Sequence, residues 1–214
     1  MSLEVLQNKS QVYKARQELV KKGASVVDSL FRAILRHVGI VEGIAVGDKL
    51  KSWDVLLTLN FIEQKVAYEE PILDIGCYAS EIIVALHRVG YSHLAGVDLN
   101  SELFCMPHQD VILYEVADFM CTNFESASFR AITSISVVEH GFQAGGLLQE
   151  MGRLLKPGGY FIASFDYWPQ KIDTNGIRFF GQDWNIFSEE DVHNFIKAAA
   201  NYSLFPVGEL KYSA

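Results

Sequence analysis

Three acidic residues stand where apolar, strand-like runs of this sequence end. Asp74 ends the first run and is followed by Gly76, Asp98 ends the second run, and Asp118 follows the third. In an open parallel sheet, ligands bind outside the carboxyl ends of the strands, where a glycine lets the backbone approach and a helix N-terminus offers free N–H groups. A carboxylate at the second strand end can accept both ribose hydroxyls of a nucleoside. The pattern therefore indicates a crevice for a nucleotide-type ligand.

Alternating strand-like and helix-like segments must position these residues. The predicted order is strand 71–75, helix 80–89, strand 93–97, strand 111–116, strand 129–136, helix 143–155, strand 159–165, helix 189–200 and strand 205–212. Strands that alternate with helices are typical of a parallel sheet with right-handed crossovers. We therefore expect an α/β fold with a doubly wound, mostly parallel sheet.

Amphipathic patterns predict helices before the sheet, over residues 3–22, 25–38 and 52–66. We expect residues 1–68 to form an N-terminal helical cap and residues 69–214 to form the sheet domain. Because the cap directly precedes the first strand, we expect the cap to cover the ligand crevice.

Local signals also predict where elements begin and end. Ser52, Ser80 and Ser188 each precede a helical pattern and are expected N-caps. The run from Lys156 to Gly159 reads KPGG and is expected to end one helix and start the next strand. Proline cannot continue a helix, and glycine supplies the left-handed turn that follows.

Composition limits the function classes. A chain of 214 residues, 50% hydrophobic, fits one domain with a modest extension. A net charge of −8 and a pI near 5.2 disfavour a broad nucleic-acid-binding surface. The 3 cysteines have no CxxC spacing, so neither a disulfide framework nor a zinc site is indicated. With no long apolar run, we expect no membrane span and a soluble, cytoplasmic protein.

Five segments together carry a family resemblance. The segments LDIGCYAS, GVDLN, VADFM, SISVVEHGF and MGRLLKPGGYFIAS resemble, in order and spacing, the successive motifs of class I S-adenosylmethionine-dependent methyltransferases. The resemblance covers residues 70–166 and implies a Rossmann-like fold with S-adenosyl-L-methionine as cofactor. It also implies cofactor-binding roles for Asp74, Gly76, Cys77, Tyr78, Asp98, Leu99, Asp118, Phe119 and Ser136.

The resemblance assigns parts of the cofactor to parts of the site. It implies that the loop from Asp74 to Ser80 holds the methionine moiety and that Asp98 binds the ribose. Asp118 and Phe119 would contact the adenine, and Ser136 would line the pocket. The downstream segments DYWPQKIDT and WNIFSEEDV resemble a bacterial subgroup associated with glycans or small metabolites, which implies a small-molecule or glycan-precursor acceptor.

The sequence departs from the family pattern at two positions of the glycine loop. Tyr78 and Ser80 stand where the family commonly has further glycines, so this backbone adopts positive φ less freely. A noncatalytic module that binds S-adenosylmethionine or S-adenosylhomocysteine is therefore an alternative, and a purely structural interaction domain is a third. A nicotinamide oxidoreductase is disfavoured because the loop lacks GxGxxG.

Two residues are candidate catalytic bases. His140 follows the fourth predicted strand and could take a proton from an acceptor hydroxyl, although it could equally be an ordinary loop histidine. Asp166, at the end of the fifth strand, competes for that role or simply forms a turn. A related branch binds a metal through a Glu-x-x-Glu-His arrangement, but here Ser136 takes the place of the first Glu. No metal site is therefore expected.

The segment from Asp166 to Phe187 is longer than ordinary connections and suits a lid or binding loop. Its aromatic residues could stack on a substrate or simply pack under the loop: Tyr167, Trp168, Phe179, Phe180 and Trp184.

The expected function is methyl transfer to an O or N atom of a small-molecule or sugar-type acceptor by in-line displacement. The chain stops at Ala214, directly after the predicted sixth strand, whereas the family usually adds a seventh. An exposed sheet edge would invite pairing with a second chain, so a homodimer is expected.

Overall fold

A five-stranded parallel sheet forms the centre of the protein. The computed structural model describes residues 3–28, 30–40, 43–141, 143–179 and 181–212. The strands are β1 (Ile72–Ile75), β2 (Leu94–Asp98), β3 (Ile112–Val116), β4 (Phe129–Ile135) and β5 (Leu155–Ser164), in the order β3-β2-β1-β4-β5. All four neighbouring pairs are parallel, which confirms the predicted doubly wound sheet.

Helices cover this sheet, and a small hairpin lies beyond it. The helices are α1 (Lys9–Lys21), α2 (Leu30–His37), α3 (Ser52–Lys65), α4 (Glu81–Arg88), α5 (Ala144–Leu154) and α6 (Glu189–Ala199). Short 3₁₀ turns span Lys49–Lys51, Ser101–Cys105 and Ala200–Tyr202. The antiparallel hairpin comprises β6 (Arg178–Phe179) and β7 (Gln182–Asp183). No described helix has the length and apolar character needed to cross a membrane.

Apolar residues on both faces of the sheet explain why it is buried. Successive strand residues point to opposite faces, so Ile72 packs with α3 and α4, whereas Leu73 packs with α5 and α6. Every residue of β1 is buried, as expected for a central parallel strand covered on both sides.

The N-terminal helices are fixed to α4 by a buried ion pair. The Arg16 guanidinium donates to both carboxylate oxygens of Glu81, at 2.6 and 2.7 Å. The Glu81 side chain is only 1% exposed and also accepts a hydrogen bond from the Val26 amide at 2.9 Å. Nearby, the Gly47 amide donates to the Ala79 carbonyl at 2.8 Å. The N-terminal segment therefore contacts the loop between β1 and α4.

The predicted sixth strand over 205–212 is wrong. This segment forms a single bridge, between Leu210 and Leu3, and otherwise has no strand structure. Pro206 has no N–H to donate to a ladder, and Gly208 has a φ of +95°. The apolar Phe205 is 70% exposed, so the alternation that suggested a strand does not mark a buried face.

Three predicted helix starts also need correction. Helix α1 begins at Lys9 because Asn8 forms a capping box with Gln11, and α2 begins at Leu30 instead of residue 25. Ser52 is the first residue of α3 and not its cap, since its hydroxyl donates to the Lys49 carbonyl.

The KPGG run lies inside β5 instead of before it. Leu155 already pairs with Phe129, and pairing resumes between Tyr160 and Ala131, so the intervening residues form a bulge. Ser188, in contrast, is confirmed as an N-cap, with a capping box to Asp191.

We expect Arg16→Met to lower the free energy of unfolding by about 3 kcal/mol, because it leaves the Glu81 carboxylate buried without its ion pair. The control Lys21→Met removes the exposed ion pair with Glu18 and should change the free energy of unfolding by no more than about 0.5 kcal/mol. Denaturant unfolding measures both values, and equal losses in the two variants would contradict the structural role of the Arg16 ion pair.

Candidate functional site

The loop after β1 is shaped by the absence of a side chain at Gly76. This residue has a φ of +66°, and a Cβ built on it would lie 2.4 Å from Val137 Cγ2. Its amide donates to the Val97 carbonyl of β2 at 2.8 Å. The ends of β1, β2 and β4 therefore come together at one point.

Asp98, at the end of β2, fixes the same loop through a hydrogen bond. Its Oδ2 accepts a hydrogen bond from the Tyr78 amide at 3.0 Å, and its Oδ1 accepts one from the Asn100 amide at 2.8 Å. A carboxylate offers about four acceptor sites, so these two bonds leave capacity for two ligand hydroxyls. The Tyr78 hydroxyl donates a hydrogen bond to the Glu102 carboxylate at 2.9 Å. The Tyr78 ring therefore lies next to the 3₁₀ turn that follows β2.

Asp74 is buried beneath the loop. Its Oδ1 accepts a hydrogen bond from the Thr133 hydroxyl of β4 at 2.7 Å, and the Ser80 hydroxyl also lies near the carboxylate. Burial raises the pKa of Asp74 to about 7, against the opposing effect of the Thr133 hydroxyl. Ser80 takes the predicted N-cap position of α4, but its side chain makes no capping hydrogen bond.

The remaining expected cofactor residues lie around the ends of β1 to β3. Asp118 accepts a hydrogen bond from the Met120 amide at 2.8 Å, and Phe119 packs against the core beside it. Leu99 is 61% exposed. Cys77 is fully buried, with its Sγ 2.5 Å from the position a Cβ would take at Gly96, so any ligand contact by Cys77 would come from its backbone.

A second group of polar residues lies at the ends of β4 and β5. Ser136 has a φ of +53°, and its amide donates to the Ser164 carbonyl at 3.0 Å. Three residues farther on, Glu139 is 1% exposed, and the Ser136 hydroxyl and a backbone N–H lie near its carboxylate. Burial raises the pKa of Glu139 to about 7, with a further rise from Asp166 and an opposing effect from Lys51.

The two candidate bases, His140 and Asp166, share this region. Burial lowers the pKa of His140, and the negative charge of Asp166 partly offsets that effect. The Asp166 side chain is 41% exposed and lies 3.8 Å from Lys51 Nζ. Its Oδ2 accepts a hydrogen bond from Trp184 Nε1 at 3.1 Å.

Sequence reasoning missed Asp54 and considered Glu139 only as part of a metal-binding arrangement, which it rejected. Asp54 lies in the first turn of α3, and burial raises its pKa, with opposing effects from Lys51 and the Ser164 hydroxyl and a rise from Asp166. We call Asp54, Glu139 and Asp166 the acidic pocket. The Glu-His pair was visible in the sequence, but no local pattern marks Asp54. Within the described ranges, no group of three or more His, Cys, Asp or Glu side chains is arranged to hold a metal ion.

The segment between β5 and α6 lies beside the acidic pocket. Trp184 pairs with His140 through a backbone bridge, and its ring meets that of Phe179 edge-on at 5.2 Å. Tyr167 donates through its hydroxyl to the Tyr212 carbonyl at 3.0 Å, whereas Trp168 is exposed. Phe180 lies outside the described residues. The aromatic residues therefore divide between packing and exposed positions.

We expect Gly76→Ala to destabilise the fold and to weaken ligand binding at the loop, because its methyl group would overlap Val137. The matched control is Gly176→Ala, which has a similar φ of +79° but no atom within 4 Å of its added Cβ. Thermal unfolding of both variants separates the overlap from backbone strain. A Gly76→Ala variant as stable as the control would show that the close approach is not required.

Glu139 should make the stability of the protein fall as pH rises. An acid with a raised folded-state pKa binds its proton more tightly when folded, so its contribution is full below the unfolded pKa of about 4.5 and is lost by about pH 7. We therefore expect Glu139→Gln to be more stable than the parent at about pH 8, by on the order of 3 kcal/mol, and similar to it at about pH 4. Parallel pH profiles for Glu139→Gln and the exposed control Glu125→Gln would contradict this.

Comparison with known proteins agrees with this geometry. Residues 73–163 match the methyltransferase domain family. The eEF1A lysine and N-terminal methyltransferase of Danio rerio is 26% identical over 130 residues, which cover 54% of this chain and 19% of that protein. The chain thus spans about a fifth of the length of this relative.

Solved structures share the fold at low sequence identity. An S-adenosylmethionine dependent methyltransferase from Mesorhizobium loti has a TM-score of 0.54 and 19% identity, covering 68% of this chain and 80% of that chain. Geranyl diphosphate C-methyltransferase from Streptomyces coelicolor A3(2) has a TM-score of 0.55 and 16% identity, covering 90% of this chain and 78% of that chain. Over residues 73–163, the chain is therefore similar to the methyltransferase domain family, and the solved methyltransferase structures share its fold.

Proposed function

We propose that the protein transfers a methyl group from S-adenosyl-L-methionine to an O or N atom of a small-molecule or glycan-precursor acceptor. The observation that supports this most strongly is the meeting of Gly76, Asp98 and Val137 at adjacent strand ends. Such a site can align two ligands and exclude water, and alignment alone can contribute about 7 kcal/mol or more.

The residues present fit the cofactor. The Asp74 carboxylate, which offers more acceptor sites than its hydroxyl partners fill, is suited to an amino group at the methionine end. Asp98 retains acceptor capacity for the ribose hydroxyls, and Asp118 and Phe119 lie beyond it on the side where the adenine would bind. Gly76, Cys77, Tyr78, Leu99 and Ser136 complete the proposed cofactor site.

The chain's own residues would orient the acceptor and remove its proton. Bound S-adenosylmethionine supplies an activated methyl group, so the protein needs little covalent chemistry of its own. His140 is a proposed base because its lowered pKa keeps the imidazole neutral near pH 7, the form that accepts a proton. Asp166 is the competing base, and its side chain is 41% exposed.

The N-terminal residues 1–68 are proposed to cap the cofactor slot. The support comes from the Gly47 amide, which bonds the Ala79 carbonyl of the glycine loop, and from the ion pair that fixes α1 to α4. The sheet domain would then be the remainder, residues 69–214.

The acceptor type rests on weaker support than the reaction class. The Danio rerio relative is named for methylation of lysine and N-terminal groups, whereas the Streptomyces coelicolor protein is named as a C-methyltransferase. Family members therefore differ in the atom they modify. We favour O or N because the side chains at the ends of β4 and β5 include the polar groups of Ser136, Glu139 and Asp166.

A noncatalytic cofactor-binding module is the second candidate function. The observation that favours it is Tyr78, whose amide already occupies one oxygen of Asp98 and whose ring stands in the glycine loop. Turnover with S-adenosylmethionine and a pool of candidate acceptors separates the two functions, because the module would bind without producing S-adenosylhomocysteine.

Cytoplasmic location, a homodimer and the absence of nucleic-acid partners are proposed on composition and topology. The acidic charge supports the last of these. Strands β3 and β5 end the sheet, and either could pair with a second copy. A molar-mass measurement in solution tests the homodimer.

We expect Asp98→Ala to weaken S-adenosylhomocysteine binding at least tenfold, because it removes the ribose acceptor and frees the Tyr78 amide. The control Asp110→Ala removes an exposed acid and should bind like the parent. Isothermal titration calorimetry measures both affinities. Equal affinity of Asp98→Ala and the parent would overturn the proposed cofactor site.

A further inference from the structure

One alanine of the glycine loop has a strained backbone. Ala79 has a φ of +57°, a region that residues with a side chain rarely adopt, whereas Ser80 beside it has a φ of −68°. The loop therefore has a second left-handed residue after Gly76, and that residue is not a glycine. Strain of this kind persists only where the surrounding structure holds it, and it is concentrated at functional sites.

Two other parts of the chain hold the peptide groups of Ala79. Its amide donates a hydrogen bond to Met106 Sδ at 3.3 Å, and its carbonyl accepts one from the Gly47 amide at 2.8 Å. Met106 directly follows the 3₁₀ turn after β2, and Gly47 lies in the segment before α3. Both contacts come from outside the loop, so the conformation of Ala79 depends on these partners.

Met106 is a hydrogen-bond acceptor in a fixed position. It is 1% exposed and packs in the core on the face of the sheet that α3 and α4 cover. Its own amide donates to the Leu103 carbonyl at 3.0 Å, and its carbonyl accepts from Gln109 Nε2 at 3.1 Å. A thioether is a weak acceptor, but this one is held in place and shielded from water. Leucine has a similar volume and no acceptor, so Met106→Leu removes the hydrogen bond with little change in packing.

Ala79 lies between two residues that shape the proposed cofactor site. On one side, the Tyr78 amide donates to the Asp98 carboxylate, the proposed ribose acceptor. On the other side, Ser80 takes the N-cap position of α4. Because both neighbours share a planar peptide bond with Ala79, a rotation of its backbone would displace them. The Met106 contact therefore acts on the position of the whole loop.

We propose that Met106 is a positioning residue for the cofactor: its Sδ holds the Ala79 amide and so keeps the glycine loop in the conformation that binds S-adenosylmethionine. This inference rests on the proposed function and deepens it. It also accounts for Tyr78 and Ser80, which stand where the family commonly has glycines, because contacts from outside the loop replace the backbone freedom that glycine would give. Met106 acts through Ala79 and needs no contact with the cofactor.

The first test measures hydrogen exchange of single amides by NMR in the ligand-free protein. In Met106→Leu, the Ala79 amide should exchange roughly tenfold faster than in the parent, because its acceptor is gone. The Arg130 amide, which donates to the Pro71 carbonyl at 2.8 Å, reports any general loss of stability, and its rate should stay that of the parent. The matched control is Met151→Leu, since Met151 is 0% exposed but packs on the other face of the sheet. This control should leave Ala79 exchange unchanged.

The second test measures binding of S-adenosylhomocysteine by isothermal titration calorimetry. Affinity should be roughly fivefold weaker in Met106→Leu than in the parent, because binding must then order a loosened loop, and it should be unchanged in Met151→Leu. Glycine adopts positive φ without strain, so adding Ala79→Gly to Met106→Leu should restore most of the lost affinity. A methionine that only filled the core would not be rescued by a change at Ala79.

The outcomes separate this inference from the proposed function. A parent that does not bind S-adenosylhomocysteine overturns the proposed function, whatever the exchange rate of the Ala79 amide. When the parent binds, three results each overturn the positioning role alone: unchanged Ala79 exchange or affinity in Met106→Leu, faster exchange that includes Arg130 equally, or no rescue by Ala79→Gly. Faster exchange confined to the loop, with weaker binding that Ala79→Gly restores, supports the positioning role.

Discussion

The close approach of the β1 and β4 loops at Gly76 is the constraint on which the site depends. With no Cβ, this residue lets Val137 enter the space that a side chain would fill. That contact brings the glycine loop, the Asp98 carboxylate and the acidic pocket into one region. The Tyr78 amide then fixes the loop to Asp98, so the ends of three neighbouring strands act as one unit. Loops that moved independently would not keep the cofactor and the acceptor aligned for methyl transfer.

Much of the fold could be predicted because its strands are buried on both faces. Ile72 and Leu73 pack on opposite sides of β1, and such continuous apolar runs, closed by an acid or a glycine, are strong strand signals. The same reasoning failed at 205–212, where Phe205 and Val207 are apolar but exposed, and Pro206 cannot donate to a ladder. The periodicity of apolar residues alone does not show whether the apolar face of a segment packs against another element.

The site was less predictable than the fold because burial and charge are set by tertiary packing. Asp98 and Gly76 could be found by spacing, since strand ends in a parallel sheet necessarily meet. Asp54 could not, because α3 brings it to the pocket from far earlier in the chain. Glu139 was visible beside His140, yet its burial depends on tertiary packing, and the Asn185 amide that bonds its carbonyl comes from a distant part of the chain.

The central claim is that one adenosine-binding slot crosses the ends of β1, β2 and β3, with the acidic pocket beside it. A crystal structure of the protein with S-adenosylhomocysteine tests this most directly. The account predicts the ribose hydroxyls within hydrogen-bond distance of Asp98 and the homocysteine end over Gly76, facing Glu139. A ligand bound elsewhere, or a ribose turned away from Asp98, would contradict it.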